Sequence, residues 1–163
     1  MKKFFVPLFF AFIAVNGFSF SPVDSVNALM GTYSAFDFSR GNTYPAVAMP
    51  WGMNFWSPQT GENGSGWMYT YSANQIRGFR QTHQPSPWIG DHGTFLLTPQ
   101  SDLIGDTHDS AWSGYRINES VFMPHYLKIK FLRSNAVFEL TPTLRGAKIR
   151  LNYENEEENY ISF

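Results

Sequence analysis

The chain has no cysteine among its 163 residues. Disulfides, a cysteine nucleophile and a lipid anchor on cysteine are all excluded, so stability rests on packing. Charge is scarce: charged residues make up 15% and the net charge is −1. That leaves no basic footprint for nucleic acid. There is no Gly-x-Ser-x-Gly elbow and no GxxxxGK[ST] loop, so serine-hydrolase and phosphate-loop chemistry have no support. The leading apolar run, 4–15, is shorter than a comfortable membrane span and contains Pro7.

That run has another reading. Lys2 and Lys3 precede it, and Asn16, Gly17 and Ser19 follow. This is the layout of a secretory signal peptide, so 1–20 is expected to be removed and the protein exported, periplasmic or extracellular, with no membrane association afterwards. The remaining 21–163 has room for one ordinary domain with a core.

What the chain does have is aromatic residues, at 18%. Phe, Tyr and Trp favour pleated, half-buried surfaces, which predicts a mainly β fold. Four tryptophans, Trp51, Trp56, Trp67 and Trp88, fall within 41–99, together with Pro45, Pro50, Pro58, Pro85 and Pro87. The prolines exclude a continuous helix. The spacing predicts extended pieces and turns over 45–55, a flexible turn over 61–66, and a strand over 67–71. A short apolar piece follows at 76–79, a Pro/Gly loop at 81–93, and a strand over 94–98 closed by Pro99. Further on, YLKIKF (126–131) alternates strictly, 133–135 is a turn, and 136–141 and 147–153 read as returning strands. These form an antiparallel meander, and the whole reads as an antiparallel β-sandwich. A solvated acidic stretch, 154–158, precedes 160–163, which opens like another strand; the sandwich is expected to lack later strands.

Fixed flat rings on rigid loops suit a sugar cleft, where the apolar face of a pyranose packs on an indole. Trp67, after the glycine turn, and Trp88, in the proline loop, are the candidate platforms. Trp51 and Trp56 lie in apolar extended pieces and are expected in the core. His83, Asp91 and His92 share one loop. They could hold its backbone, contact a ligand or ligate a metal, and their spacing matches no standard metal pattern. Glycoside hydrolysis usually needs two carboxyl groups across the bond. Asp102, Asp106 and Asp109 depart from calcium-loop spacing, and Glu139 is expected to face solvent. Only Asp91 sits in a credible cleft loop, so no catalytic pair and no metal site are assigned.

The runs GNTYPAVAMPWGMNFW and IRGFRQTHQPSPWIGDHG resemble the N-terminal domain of glycoside hydrolase family 92, with a weaker likeness through YLKIKFLRSNAVFELTPTLRGAKIRLNY. The resemblance covers nearly everything after the signal peptide. It implies exported, calcium-dependent exo-α-mannosidases that invert configuration and act on α-mannoside glycans. It also implies a β-sandwich followed by a helical catalytic domain that supplies the acid, the base and most Ca2+ contacts, which this chain does not contain. By motif position, Trp67, His83, Trp88 and Asp91 become substrate-contact candidates; no catalytic residue carries over. The other reading is a stand-alone carbohydrate-binding module using Trp67 and Trp88.

Overall fold

The computed structural model describes residues 21–33, 43–61, 69–83, 95–101, 110–154 and 158–163. The segment 1–20, read as an export signal, lies outside them. Among the described residues the strands are β1 Phe55–Gln59, β2 Gln75–Ile76, β3 Gly78–Thr82, β4 Phe95–Gln100 and β5 Ser113–Gly114. They continue with β6 Val121–Met123, β7 Tyr126–Phe131, β8 Ala136–Pro142, β9 Ala147–Tyr153 and β10 Tyr160–Ser162. Short 3₁₀ helices occupy Pro22–Ser25 and Ile117–Glu119.

Two four-stranded sheets, ordered β1-β3-β4-β10 and β6-β7-β8-β9, carry most of the fold, and β2 with β5 forms a small third sheet. Every strand pairing is antiparallel. The architecture is mainly β and sandwich-like, as the aromatic-rich, alternating sequence predicts.

The second sheet shows why. In β7, Leu127, Ile129 and Phe131 are fully buried while Lys128 points to solvent. In β8, Ala136, Phe138 and Leu140 are buried and register opposite them, with Ile129 beside Phe138. Period-two alternation therefore puts one apolar face on each strand. That face meets the first sheet through Phe79 of β3. Its ring stacks on Phe138 with centroids 4.1 Å apart and planes 17° from parallel, and Phe131 tilts against it at 6.0 Å.

The first sheet is less regular. Before β1, Val47 makes a two-way backbone bridge with Trp56, at 2.8 and 3.0 Å. Pro58 and Pro99 both lie inside strands, so β4 runs through the proline expected to close it. The missing N–H is tolerated for a local reason. β1 is an edge strand, and β4 pairs with β3 only over 95–97 and with β10 only over 98–100. Pro99 thus has a strand neighbour on one side only.

Two other readings change. The apolar piece 76–79 is two strands in different sheets, split at Arg77. The described part of the expected 67–71 strand, Tyr69 to Tyr71, is not strand. The closing run forms the strand expected of it, and β10 joins β4 in the first sheet.

Gly78 marks the split and is required by close approach. A Cβ there would lie 2.2 Å from the Leu97 carbonyl oxygen and 2.8 Å from Thr98 Oγ1. Backbone cannot yield as a flexible side chain can. Gly78→Ala is therefore expected to cost about 3 kcal/mol or more of stability. Gly146→Ala, whose Cβ would meet nothing nearer than 3.8 Å, should change it by less than about 1 kcal/mol. Urea melts of the two variants check the contrast.

Candidate functional site

One end of the sandwich gathers the groups of interest. There β1 begins, β3 ends and β4 begins, with Phe55 opposite Thr82 and Gln81 opposite Phe95. One residue beyond that register lie Asn54 and His83. The β6–β7 and β8–β9 turns reach the same end: Ala48 N–H donates to Pro124 O at 3.2 Å, and Met53 N–H to Leu144 O at 2.8 Å.

His83 is exposed there, the last described residue before the 84–94 connection. Trp88 and Asp91 belong to that connection and lie outside the described residues, as does Trp67. The anchors of the Trp67 segment are placed: Thr70 N–H donates to Thr60 Oγ1 at 2.8 Å. Thr60 follows Gln59, at the other end of β1 from His83, so a strand length of about 13 Å separates the two anchor points. Of the four candidate contact residues, the structure thus describes His83 alone, and it leaves His83 exposed at this end.

Where β1 begins, the interior is built on Trp56. Its indole N–H donates to Asn54 Oδ1 at 2.8 Å, and Phe95 meets the indole edge-on at 5.6 Å. The expectation that Trp56 is core is met, since it is 4% exposed. The same expectation for Trp51 is overturned. Trp51 is 99% exposed, on a turn closed by Gly52 N–H donating to Met49 O at 2.9 Å. The strand that buries Trp56 starts only after this turn, so its alternation does not extend back to Trp51.

Asn54 was not singled out by sequence, because nothing local marks an asparagine as buried. It is 3% exposed, and its Nδ2 has no hydrogen-bond partner among the described residues. A buried donor of this kind needs an explanation; the register puts it across from His83, one step beyond the Phe55–Thr82 pair.

Beside this segment, Tyr69 and Tyr115 are buried together, Tyr115 Oη donating to Tyr69 Oη at 3.4 Å. Burial raises both hydroxyls above the ordinary phenol range, and the contact with Tyr115 adds to the effect at Tyr69. They are neutral packing groups at any physiological pH.

Glu139 lies on the outer face of the second sheet. Its carboxylate accepts from Arg150 Nε at 2.5 Å, Arg150 Nη2 at 2.7 Å and Tyr126 Oη at 2.5 Å. Arg150, with help from Tyr126, holds Glu139 down to about 2. Partial burial and the Glu139 contact push Tyr126 up to about 12. The expectation that Glu139 faces solvent needs refinement: it is on the solvent side, yet its side chain is only 13% exposed. A carboxylate clamped in this way stays ionised and cannot donate a proton near neutral pH.

The family model described as the glycosyl hydrolase family 92 N-terminal domain matches residues 25–163. No curated protein sequence matches the chain. Among solved structures, the family GH92 inverting mannosidase BT2199 from Bacteroides thetaiotaomicron VPI-5482 is 50% identical, with a TM-score of 0.78; the match covers 85% of this chain and 19% of that one. The family GH92 α-mannosidase BT3965 from Bacteroides thetaiotaomicron is 26% identical, with a TM-score of 0.69 and the same coverage, 85% and 19%. Its complex with mannoimidazole matches at 26% identity and a TM-score of 0.65, over 80% of this chain and 18% of that one. The chain spans about a fifth of the length of these relatives.

Two outcomes test the site's chemistry. Asn54→Ala removes the acceptor of the Trp56 N–H, a loss of about 1–3 kcal/mol, and also removes an unpaired buried donor of similar cost. The expected net change in a urea melt is within about 1 kcal/mol; a loss above about 3 kcal/mol would mean that Nδ2 is bonded. Glu139 has a folded pKa below its ordinary 4.5. Its stabilisation is therefore full above pH 4.5 and lost as pH falls from there toward about 2. In a Tm-against-pH series, Glu139→Gln should flatten that acid limb and leave the slope between pH 6 and 8 unchanged.

Proposed function

The chain belongs to glycosyl hydrolase family 92, whose N-terminal domain it matches, and on that premise we propose that it is the non-catalytic N-terminal part of an exported, inverting exo-α-mannosidase. The observation that carries this reading is the 50% identity to an inverting mannosidase over 85% of the chain.

The domain's part is to form one wall of the mannose pocket. His83 stands exposed where the 84–94 connection departs, at the same end as the Asn54–Trp56–Phe95 group. In this reading His83 hydrogen-bonds sugar hydroxyls, Asp91 accepts from them, and Trp67 and Trp88 offer rings to the pyranose face. Binding by these groups orients the glycoside and excludes water from it.

The bond-breaking groups come from elsewhere. Inversion requires one carboxyl to protonate the leaving oxygen and a second to activate water, the two about 6.5–9.5 Å apart. The described glutamates are otherwise engaged. Glu119 pairs with Arg116, Glu139 with Arg150, Glu154 with Lys130, and Glu158 accepts from Tyr160. Calcium is implied for the full-length enzymes of this family, where it would help hold the attacking water. Among the described residues no three acidic or histidine side chains converge, so these residues do not fit such a site. Export follows from the reading of 1–20 as a signal peptide.

The purified chain should hydrolyse an aryl α-mannoside no faster than buffer does. Measurable turnover by the chain alone would overturn the non-catalytic reading. Calorimetry with mannose and α-mannobiose separates it from a self-sufficient binding module: millimolar or tighter binding that Trp67→Ala abolishes would support the module instead.

A further inference from the structure

Trp51 presents its whole indole to solvent from a backbone with φ of 60°. A bulky residue rarely adopts that left-handed conformation, and holding one there costs stability. The surrounding backbone is firmly tied. The Trp51 turn closes on itself, and Ala48 and Met53 on either side are bonded to the β6–β7 and β8–β9 turns. Around the ring, Met49 is 39%, Met53 66% and Leu144 59% exposed. His125 and Arg145, beside the bonded Pro124 and Leu144, are exposed polar neighbours.

An apolar centre of tryptophan and methionine with a polar edge has the anatomy of a protein interface. A sugar subsite would need convergent hydrogen-bonding groups beside the ring, and Met49, Met53 and Leu144 supply none. About four fifths of each relative's chain lies outside the part that this domain matches. We infer that the Trp51 face, formed by Met49, Trp51, Met53 and Leu144, is the surface on which the remainder of a family 92 mannosidase seats. This rests on the functional reading above and adds where the two parts meet: at the end that carries His83.

The test is tryptophan oxidation by N-bromosuccinimide, followed residue by residue by mass spectrometry. Trp112, 39% exposed beneath Arg133 at the far end, is the internal reference. Trp51 in the isolated chain should react rapidly. In a chimera of BT2199 whose matching segment is replaced by this chain, Trp51 should react at least tenfold more slowly while Trp112 is unchanged. In parallel, Trp51→Gly should raise or preserve the Tm of the isolated chain and lower that of the chimera. Equal Trp51 reactivity in chain and chimera overturns the inference. Protection in the isolated chain that grows with its concentration points to a second copy and overturns it. Protection that appears only with methyl α-mannoside points to a sugar platform and overturns it as well. Should the chimera not fold, the chain mixed with the BT2199 remainder gives the same readout, and absence of protection there also overturns it. A chimera that hydrolyses mannosides while Trp51 stays reactive defeats the inference and leaves the functional reading standing.

Discussion

The contact between Phe79 and Phe138 is the constraint on which the arrangement of this domain depends. An apolar sheet face is unstable in water alone, and residues of both sheets share one core cluster. Phe79 crosses from the first sheet, stacked on Phe138 and tilted against Phe131. Truncating a buried phenylalanine of this kind costs about 3–5 kcal/mol, a large share of a small domain's stability. Gly78 immediately before it allows β3 to run against β4 where any Cβ would strike the Leu97 carbonyl. The glycine sets how closely β3 and β4 approach, and the phenylalanine then sets how the two sheets face one another.

That packing separates the two ends of the sandwich. The turn between β7 and β8 lies at one end, next to Trp112 and Arg133, whose guanidinium sits 5.5 Å over the indole. The 48–53 stretch, the β6–β7 and β8–β9 turns and the start of the 84–94 connection lie at the other. The second end holds the unpaired Asn54 amide, the exposed His83 and the exposed Trp51. Unsatisfied, strained and exposed groups are each unfavourable for a free domain. The opposite end has its own positive-φ residue, Asn135, and exposed Leu132 and Trp112, but the coincidence of all three kinds of group within 51–54 and at His83 marks this end as costly to the free domain.

Sequence was informative where one physical period ruled. In 126–131, 136–141 and 147–153 apolar residues recur at every second position, so the strands could be named; that face is buried in β7 and β8, whereas no residue of β9 is fully covered. β2, β5 and β6 are two or three residues long, too short for any period to show. Pro99 was misread because whether a strand tolerates proline depends on which neighbours it has at that residue, which is a tertiary fact. Trp51 and Trp56 are five residues apart in one apolar segment, yet one is wholly exposed and the other buried. Nothing local forecasts a tryptophan at positive φ when Gly52, the residue suited to it, is next in the chain. The loop marks His83 in the sequence; nothing marks Asn54, because burial of an amide is decided by what packs over it.

The Asn54–Trp56 pair ties the interior to this end. Trp56 is held from three sides: by the Val47 bridge on its backbone, by Asn54 on its indole nitrogen and by the Phe95 ring on its edge. Asn54 is thereby fixed in orientation, since reversing its amide would set its NH₂ against the indole N–H, donor against donor. That Nδ2 has no partner among the described residues is therefore a consequence of seating Trp56. The same bond that completes the interior leaves one oriented, buried donor one register step beyond Phe55, across from His83.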